Sequence, residues 1–398
     1  MPTKKICVLN PYIPTLGGGE KHMGHLIQFM EDYYKDVQID ILVHNYNEID
    51  VHAKDYVTID DLNAKFDLKL RHTNIVKLDL DFSGSLPSRI GNRKLIEDKT
   101  RDYDIFVNMM FLSKHVGRAR FNIYECMFPP KRYASEAQPG IRMLMAKWMD
   151  RRFYESYNCF ISNSMFTNHW LATFWQESDK NIVRYPPVFW EKEMEGRYHE
   201  EKKKNIIISV GRFFVASHSK KQLEMTQFFV NHQDVFKDYE YHLVGSVSNS
   251  PKDIEYLNQI KALAATVKNV VIHEDCPSAE LMELYTQAKI FWHATGYMVD
   301  ENRDPDKMEH FGITTVEAMS FGAVPVVINK GGQKETVIPG ENGYLWNTEE
   351  ECVENTVRLI RDDALRRKLA EASVKRAKNF SIDEFYRQNR RIFNAYNL

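Results

Sequence analysis

A chain of 398 residues is too long for one ordinary hydrophobic core and is expected to divide into two domains. Its 43% hydrophobic and 27% charged residues exclude a disordered chain. The formal net charge of -2 excludes a dedicated nucleic-acid binder, which carries a strongly basic domain or stripe.

The basic start of the chain leads into an apolar stretch, Ile6–Leu9, that is far too short for a signal peptide. No run of about 18 apolar residues follows, so no membrane-spanning helix is expected. The cysteines Cys7, Cys126, Cys159, Cys276 and Cys352 are scattered and form no CxxC pair. An odd set of lone thiols fits a reducing compartment, and a cytoplasmic chain is expected.

In chain order, Ile6–Leu9 reads as a buried parallel strand entering a loop at Asn10-Pro11. The loop ends in Gly17-Gly18-Gly19, after which Met23, Leu26, Ile27 and Met30 recur at helical spacing. A strand at Val37–His44 completes a βαβ unit. His22 and His25 lie three apart on the helix, but no carboxylate stands at ligand spacing, so packing or surface roles are expected rather than a metal site. Further strands are predicted at Tyr103–Met110, Phe121–Tyr124 and Asn158–Ser162. The basic and aromatic stretch Lys131–Phe153, with Arg142, Lys147, Arg151, Arg152 and Trp148, reads as a helix with a core face and a solvated face. Its alternative is a face resting on an anionic membrane or on a charged acceptor.

Prolines and charges across Pro186–Lys204 predict an interdomain linker that builds no core. A second series follows, with strands at Asn205–Gly211, Tyr241–Gly245, Val270–His273, Ile290–Ala294 and Val324–Ile328. Helices are predicted at Lys252–Thr266, Ser278–Ala288 and Thr315–Phe321, and the charged tail Ala364–Ala395 is helical by pattern. Alternating strands and helices in both halves imply an α/β chain with two open, mostly parallel sheets.

In such sheets ligands bind beyond the carboxyl ends of strands, and two motifs fall there. After Ser209-Val210-Gly211-Arg212-Phe213-Phe214 and a polar loop, Lys220-Lys221-Gln222 opens a helix. Permanent cations beside a helix start suit a diphosphate; the plain alternative is a solvated basic loop. The second motif runs from Glu309 through Gly312 to Glu317. Gly312 lets backbone approach a ligand, Thr314 or Thr315 is expected to cap the next helix, and Glu317 lies about one turn into it. Two carboxylates thus flank one glycine turn and can hold hydroxyls on two ends of a ligand. A surface capping pair is the alternative.

Glu309-x7-Glu317, with Phe311-Gly312 between, resembles the EX7E signature of the retaining GT-B glycosyltransferases of family four. Gly17-Gly18-Gly19-Glu20 resembles that family's GGxE loop, and Gly211-Arg212 with Lys221 resembles its Gly-Arg…Lys donor motif. Gly331-Gly332, Glu335-Thr336-Val337 and Gly340-Glu341-Asn342-Gly343-Tyr344-Leu345 resemble its closing segment. The resemblance covers most of the chain and is weakest in the first half.

It implies a GT-B fold of two Rossmann-like domains facing each other across a cleft. Residues 1–188, completed by a helix at 381–398, would form the acceptor side, and 189–380 the donor-binding side. Arg212 and Lys221, with Lys220 as the alternative if the register differs by one, would neutralise the donor diphosphate. Glu317 would accept from the ribose hydroxyls and Glu309 would contact the donor sugar. Phe311 and the amides of Gly312, Ile313 and Thr314 would line the donor site, and Gly18 and Gly19 would bring amides to the phosphates. The implied reaction retains anomeric configuration and uses no metal and no cofactor. The implied partners are a UDP- or GDP-sugar donor and a saccharide or lipid-linked saccharide acceptor, with peripheral contact at the inner face of a membrane and no nucleic acid. The acidic loop Gly296–Lys307 is expected to shape the sugar pocket.

One departure stands in the first half, where many members carry a histidine before a Phe-Pro turn. Here Met127 precedes Phe128-Pro129, and His115 is the neighbouring candidate, more simply read as a solvated residue. A nicotinamide oxidoreductase is excluded because His22 breaks the G-x-G-x-x-G fingerprint begun by Gly17 and Gly19. A non-catalytic sugar-nucleotide binder and a nucleotide-sugar epimerase remain as alternatives.

Overall fold

A computed structural model describes residues 3–10, 17–44, 57–81, 85–215 and 219–398. Parts of the glycine loop (11–16) and of the basic loop (216–218) fall outside the described residues. The chain divides into two compact units, Met1–Pro187 with Phe385–Leu398, and Val188–Glu384.

The first unit runs β1 (Lys4–Leu9), α1 (Gly18–Tyr33), β2 (Val37–His44), α2 (Ile59–Phe66), β3 (Thr73–Leu78), α3 (Leu86–Thr100), β4 (Ile105–Asn108), β5 (Phe121–Cys126), α4 (Ile141–Ser156), β6 (Cys159–Ser162), α5 (Met165–Phe174) and β7 (Asn181–Val183). Among the described residues its sheet has seven strands in the order β3-β2-β1-β4-β5-β6-β7, all parallel. The strands are near-continuous apolar runs because both faces are covered. Ile6 and Val8 pack on one side with Met23, Ile27 and Phe29 of α1, while Cys7 and Leu9 face the opposite cluster with Phe106, Tyr124 and Phe160.

The second unit runs α6 (Glu191–Met194), β8 (Lys204–Val210), α7 (Gln222–Asn231), α8 (Gln233–Phe236), β9 (Glu240–Gly245), α9 (Pro251–Ala264), β10 (Val270–Glu274), α10 (Ser278–Gln287), β11 (Ala288–His293), α11 (Ile313–Ser320), β12 (Val324–Ile328), α12 (Gln333–Thr336), β13 (Tyr344–Trp346), α13 (Glu349–Arg361) and α14 (Asp363–Ala377). Its six described strands are also parallel, in the order β10-β9-β8-β11-β12-β13. The last helix, α15 (Ile382–Ala395), begins in this unit and supplies Phe385 and Phe393 to the core of the first. Two parallel Rossmann-like sheets with covering helices are the GT-B architecture.

The linker expectation needs correction. Val188, Phe189 and Met194 are buried, and the Val188 amide donates to the Phe380 carbonyl at 3.2 Å. Ile382 N donates to the Phe189 carbonyl at 2.7 Å. The prolines forbid a strand at 186–187, but the apolar residues straight after them start packing at once. The strands β7 and β13 went unread in the sequence because three residues carry little periodic signal, and β3 because polar residues break its apolar run, TNIVKL.

Candidate functional site

In the second sheet the strand order reverses between β8 and β11, and the crevice beyond the carboxyl ends of such a pair is where open α/β sheets bind ligands. Three side chains meet there. β8 ends at Val210, and its chain leads through Gly211 and Arg212 to Lys220; β11 ends at His293; Glu309 stands before α11. A Cβ on Gly245 would fall 2.1 Å from the Gly211 carbonyl, and one on Gly211 would fall 2.6 Å from Lys220 Cγ. Missing side chains at these strand ends therefore let the Lys220 stem lie against the sheet. The loop is pinned by Gln222 Nε2, which donates to the carbonyls of Gly211 and Arg212, both at 3.0 Å.

Lys220 Nζ reaches Glu309 Oε2 at 2.5 Å, and His293 Nε2 reaches the same oxygen at 3.1 Å. Behind the imidazole, Gln333 Nε2 stands 3.2 Å from His293 Nδ1. An amide N–H facing Nδ1 makes that nitrogen the acceptor and leaves the proton on Nε2, where it is donated to Glu309. Burial lowers the His293 pKa, with Glu309 opposing, so a neutral imidazole is the form this donor needs. Burial would raise the Glu309 carboxyl, but Lys220 and His293 outweigh it and hold the group well below the usual carboxylate range. The result is a fixed carboxylate, about one-sixth exposed (17%), beside a lysine that is 20% exposed.

Gly312 takes φ +101°, and a Cβ there would come within 2.7 Å of Gln333 Nε2. Only glycine relieves both the left-handed backbone and the contact. Gly331 and Gly332 serve the same cluster from the other side. Their Cβ positions would fall 2.2 Å from the carbonyls of Glu309 and His310, and Gly332 N donates to the Glu309 carbonyl at 2.8 Å. The loop expected to shape the pocket, Gly296–Lys307, is tied down by Lys330 Nζ on the Gly296 carbonyl at 3.1 Å and by Glu301, which accepts from Gly331 N at 3.0 Å.

The other expected residues are distributed unevenly. Lys221 precedes α7 in a left-handed conformation (φ 60°), and its Nζ pairs with Glu224 at 2.7 Å rather than with Glu309. Lys220, the register alternative, is the lysine the fold brings to the paired-acid turn. Arg212 is exposed, its guanidinium 4.6 Å over the Phe214 ring. Phe311 is buried edge-on against Phe380 at 5.3 Å, a packing position that offers little surface to a ligand. Ile313 and Thr314 are half-buried at the start of α11. Neither Thr314 nor Thr315 caps that helix: the N-cap is Gly312, with no side-chain cap, because the chain enters through a left-handed turn. Glu317 is half-buried one turn along, where burial and its charge push the Tyr285 phenol well up. His293 and Gln333 were missed as site residues. The signal for His293 was a polar side chain closing the apolar run Ile290-Phe291-Trp292 at a strand's carboxyl end.

In the first unit, Gly18 and Gly19 are exposed in the first turn of α1, and Glu20 Oε2 accepts from Gly17 N at 3.0 Å. Met127 follows β5 and is half-buried, its Sδ 3.8 Å from Asn163 Nδ2. His115 is not a solvated residue: burial pushes its pKa to about 4, and its carbonyl accepts from Tyr157 Oη at 2.6 Å. His22 sits in a sealed cluster with Arg184, Glu125 and Asn389, in which Arg184 reaches Glu125 at 2.6 Å and His22 Nε2 at 2.8 Å. No group of three or more metal-ligating side chains occurs among the described residues, and none of their helices is long and apolar enough to cross a membrane.

Residues 191–376 match the family model described as glycosyl transferases group 1. The human GDP-Man:Man(3)GlcNAc(2)-PP-Dol alpha-1,2-mannosyltransferase is 26% identical over 238 residues, 56% of this chain and 45% of that protein. The match therefore spans under half of the relative. Alpha-1,3/1,6-mannosyltransferase ALG2 of Dictyostelium discoideum is 40% identical over 60 residues, 15% of this chain and 14% of that protein. Among solved structures, a glycosyltransferase from Rickettsia africae superposes with TM-score 0.68 at 17% identity, covering 99% of each chain. Sucrose-phosphate synthase from Thermosynechococcus elongatus gives 0.69 at 14%, also over 99% of each. Those likenesses show the fold. On a GT-B scaffold, the likeness to the glycosyl transferases group 1 rests on residues 191–376, a little under half of the chain.

Proposed function

We propose that the protein transfers a sugar from a nucleotide diphosphate to a hydroxyl of a saccharide or lipid-linked saccharide, with retention and without a metal ion. The observation that carries this reading is the Lys220–Glu309–His293 cluster at the switch point of the second sheet. Both contacts to Glu309 end on Oε2, which leaves Oε1 for the hydroxyls of a donor sugar. Lys220 and the exposed Arg212 offer two permanent cations to a diphosphate, whose charge grows as the bond from sugar C1 to phosphate oxygen breaks. The acceptor hydroxyl forms the new C1–O bond on the same face, and its proton goes to the departing phosphate. Glu317 takes the ribose hydroxyls.

Relatives whose names specify GDP-Man make guanosine diphosphate mannose the donor to try first, ahead of UDP-sugars. A cytoplasmic placement belongs to the same reading. The test is a thermal-shift panel of guanosine, uridine, adenosine and thymidine diphosphates, followed by turnover with the stabilising nucleotide's sugars in chelator. A ligand bound only by the folded state raises the midpoint. The reading predicts one preferred diphosphate and an acceptor-dependent product of unchanged anomeric configuration. Binding without turnover would leave a sugar-nucleotide binder, and conversion of the donor without acceptor would leave an epimerase.

A further inference from the structure

The solvent side of α4 is not the polar face its sequence suggested. Ile141, Leu144, Met145 and Trp148 recur at i, i+3, i+4 and i+7 and are 60–71% exposed, so they form one apolar stripe in water. Ala146, Asp150, Phe153 and Tyr154 on the opposite side are buried. Isolated exposed apolar residues are ordinary, whereas a contiguous stripe ending in a tryptophan marks an interaction surface. Basic residues border it. Lys147 and Arg151 flank it on one edge, Arg142 lies on the other, and Arg152 stands at its end with its guanidinium 5.4 Å over the Trp148 ring.

The edge carrying Lys147 and Arg151 opens into a cavity of about 500 Å³ lined also by Arg132, Lys180, Tyr154 and Trp175. The two rings stack with centroids 6.0 Å apart and form an apolar floor, with Arg132 5.6 Å over Trp175 and Lys180 5.5 Å over Tyr154. Of the two carboxylates at this cavity, Asp150 spends both oxygens on the amides of Tyr133 and Ala134, and Glu155 pairs with Arg151. Four cations against two engaged carboxylates leave the rim positive.

We propose that α4 docks the first unit onto a bilayer containing anionic phospholipid. The apolar stripe enters the interface, Trp148 sits at the headgroup level, and the basic cavity takes a phosphate headgroup. Aromatic and aliphatic side chains on one face with lysine and arginine on its borders are what an interfacial helix requires. Attraction to anionic lipid adds to the apolar insertion and weakens with salt. The inference does not depend on the donor reading, because lipid binding is measured without any sugar nucleotide.

The experiment is flotation of the full chain with phosphatidylcholine vesicles, with and without phosphatidylglycerol. Wild type is expected to float with the anionic vesicles and to be released by high salt. The double variant Leu144→Ser/Trp148→Ser should lose at least about tenfold in partitioning, the equivalent of about 1.4 kcal/mol, with an unchanged thermal midpoint because both side chains already face water. Lys147→Glu should weaken anionic binding and leave any residual neutral binding unaltered. Equal flotation of wild type and double variant, or equal affinity for neutral and anionic vesicles, would overturn the proposal. A lipid-free dimer that Leu144→Ser/Trp148→Ser dissociates would assign the stripe to a second copy instead. Release from vesicles by a charged oligosaccharide would assign the cavity to an acceptor.

Discussion

Each unit holds a cluster made from the same four kinds of side chain. In the first, Arg184, Glu125, His22 and Asn389 lie together with Arg184 and Glu125 at 0% and 1% exposure. In the second, Lys220, Glu309, His293 and Gln333 do the same with Lys220 and Glu309 at 20% and 17%. Composition does not separate them; burial and geometry do. The sealed cluster fastens α1, β5, the end of β7 and α15 to one another, with the Arg184 guanidinium also 4.5 Å from the Phe385 ring. It has no opening for a ligand. The open cluster stands at a sheet's switch point on glycine-cleared backbone, with its lysine and carboxylate both partly in water. A buried ion pair is weak evidence of either stability or function until its access is known.

Substitutions should split the two clusters. Arg184→Met strands the buried Glu125 carboxylate, and loss of about 3–5 kcal/mol is expected in urea unfolding. A loss below about 1 kcal/mol would mean that the site relaxes and lets water in. Lys220→Ala should cost little stability but reduce donor-dependent kcat/KM by roughly 10- to 150-fold, about 1.5–3 kcal/mol of a charge-assisted contact. Lys221→Ala should fall well short of that, since Lys221 faces Glu224. Equal effects at the two lysines would return the diphosphate role to Lys221. Arg212→Ala should resemble Lys220→Ala in rate while leaving unfolding unchanged.

Acid should act first on the first unit. His25 is fully buried and its native pKa is about 3, against about 6.5 in an unfolded chain. The unfolded state takes up a proton that the native state refuses, so this stability is complete above about pH 6.5 and drains away toward pH 3. Between pH 7 and 5 this histidine alone should cost about 2 kcal/mol, and His25→Leu should show a flatter pH profile. A wild-type profile that is level over that range would contradict the buried neutral form. The smallest effect is expected at Gln333→Leu, which removes one hydrogen bond to His293 Nδ1 and frees the tautomer, at about 1 kcal/mol. Its signature is a shifted pH dependence of kcat, which simple loss of packing would not produce.

Most of the second unit was legible because β8, β9, β11 and β12 are apolar runs, the first two closed by glycine, and its motifs follow one another in order. Even so, two of its site residues were not named. His293 looked like the last residue of a core strand, and Gln333 like a helix start after a glycine pair, since a hydrogen bond between residues forty positions apart leaves no periodic trace. The choice between Lys220 and Lys221 was equally closed to the sequence. It depends on one left-handed residue, Lys221, which turns the two side chains to different partners. In the first unit Met127 was visible as a departure, while His115 was misread because its burial comes from chain far away. The α4 helix was legible as a helix, but periodicity cannot tell which of two apolar faces the core will cover.

By itself the sequence determined two βα series, the glycine turns, and a paired-acid motif following a basic loop, because local spacing and backbone freedom are properties of neighbouring residues. Tertiary structure decided which lysine meets Glu309, which histidine holds its proton toward that carboxylate, which charges are sealed, and which apolar face is left in water. Those outcomes depend on burial and on distances between residues remote in the chain, and no window of sequence contains them.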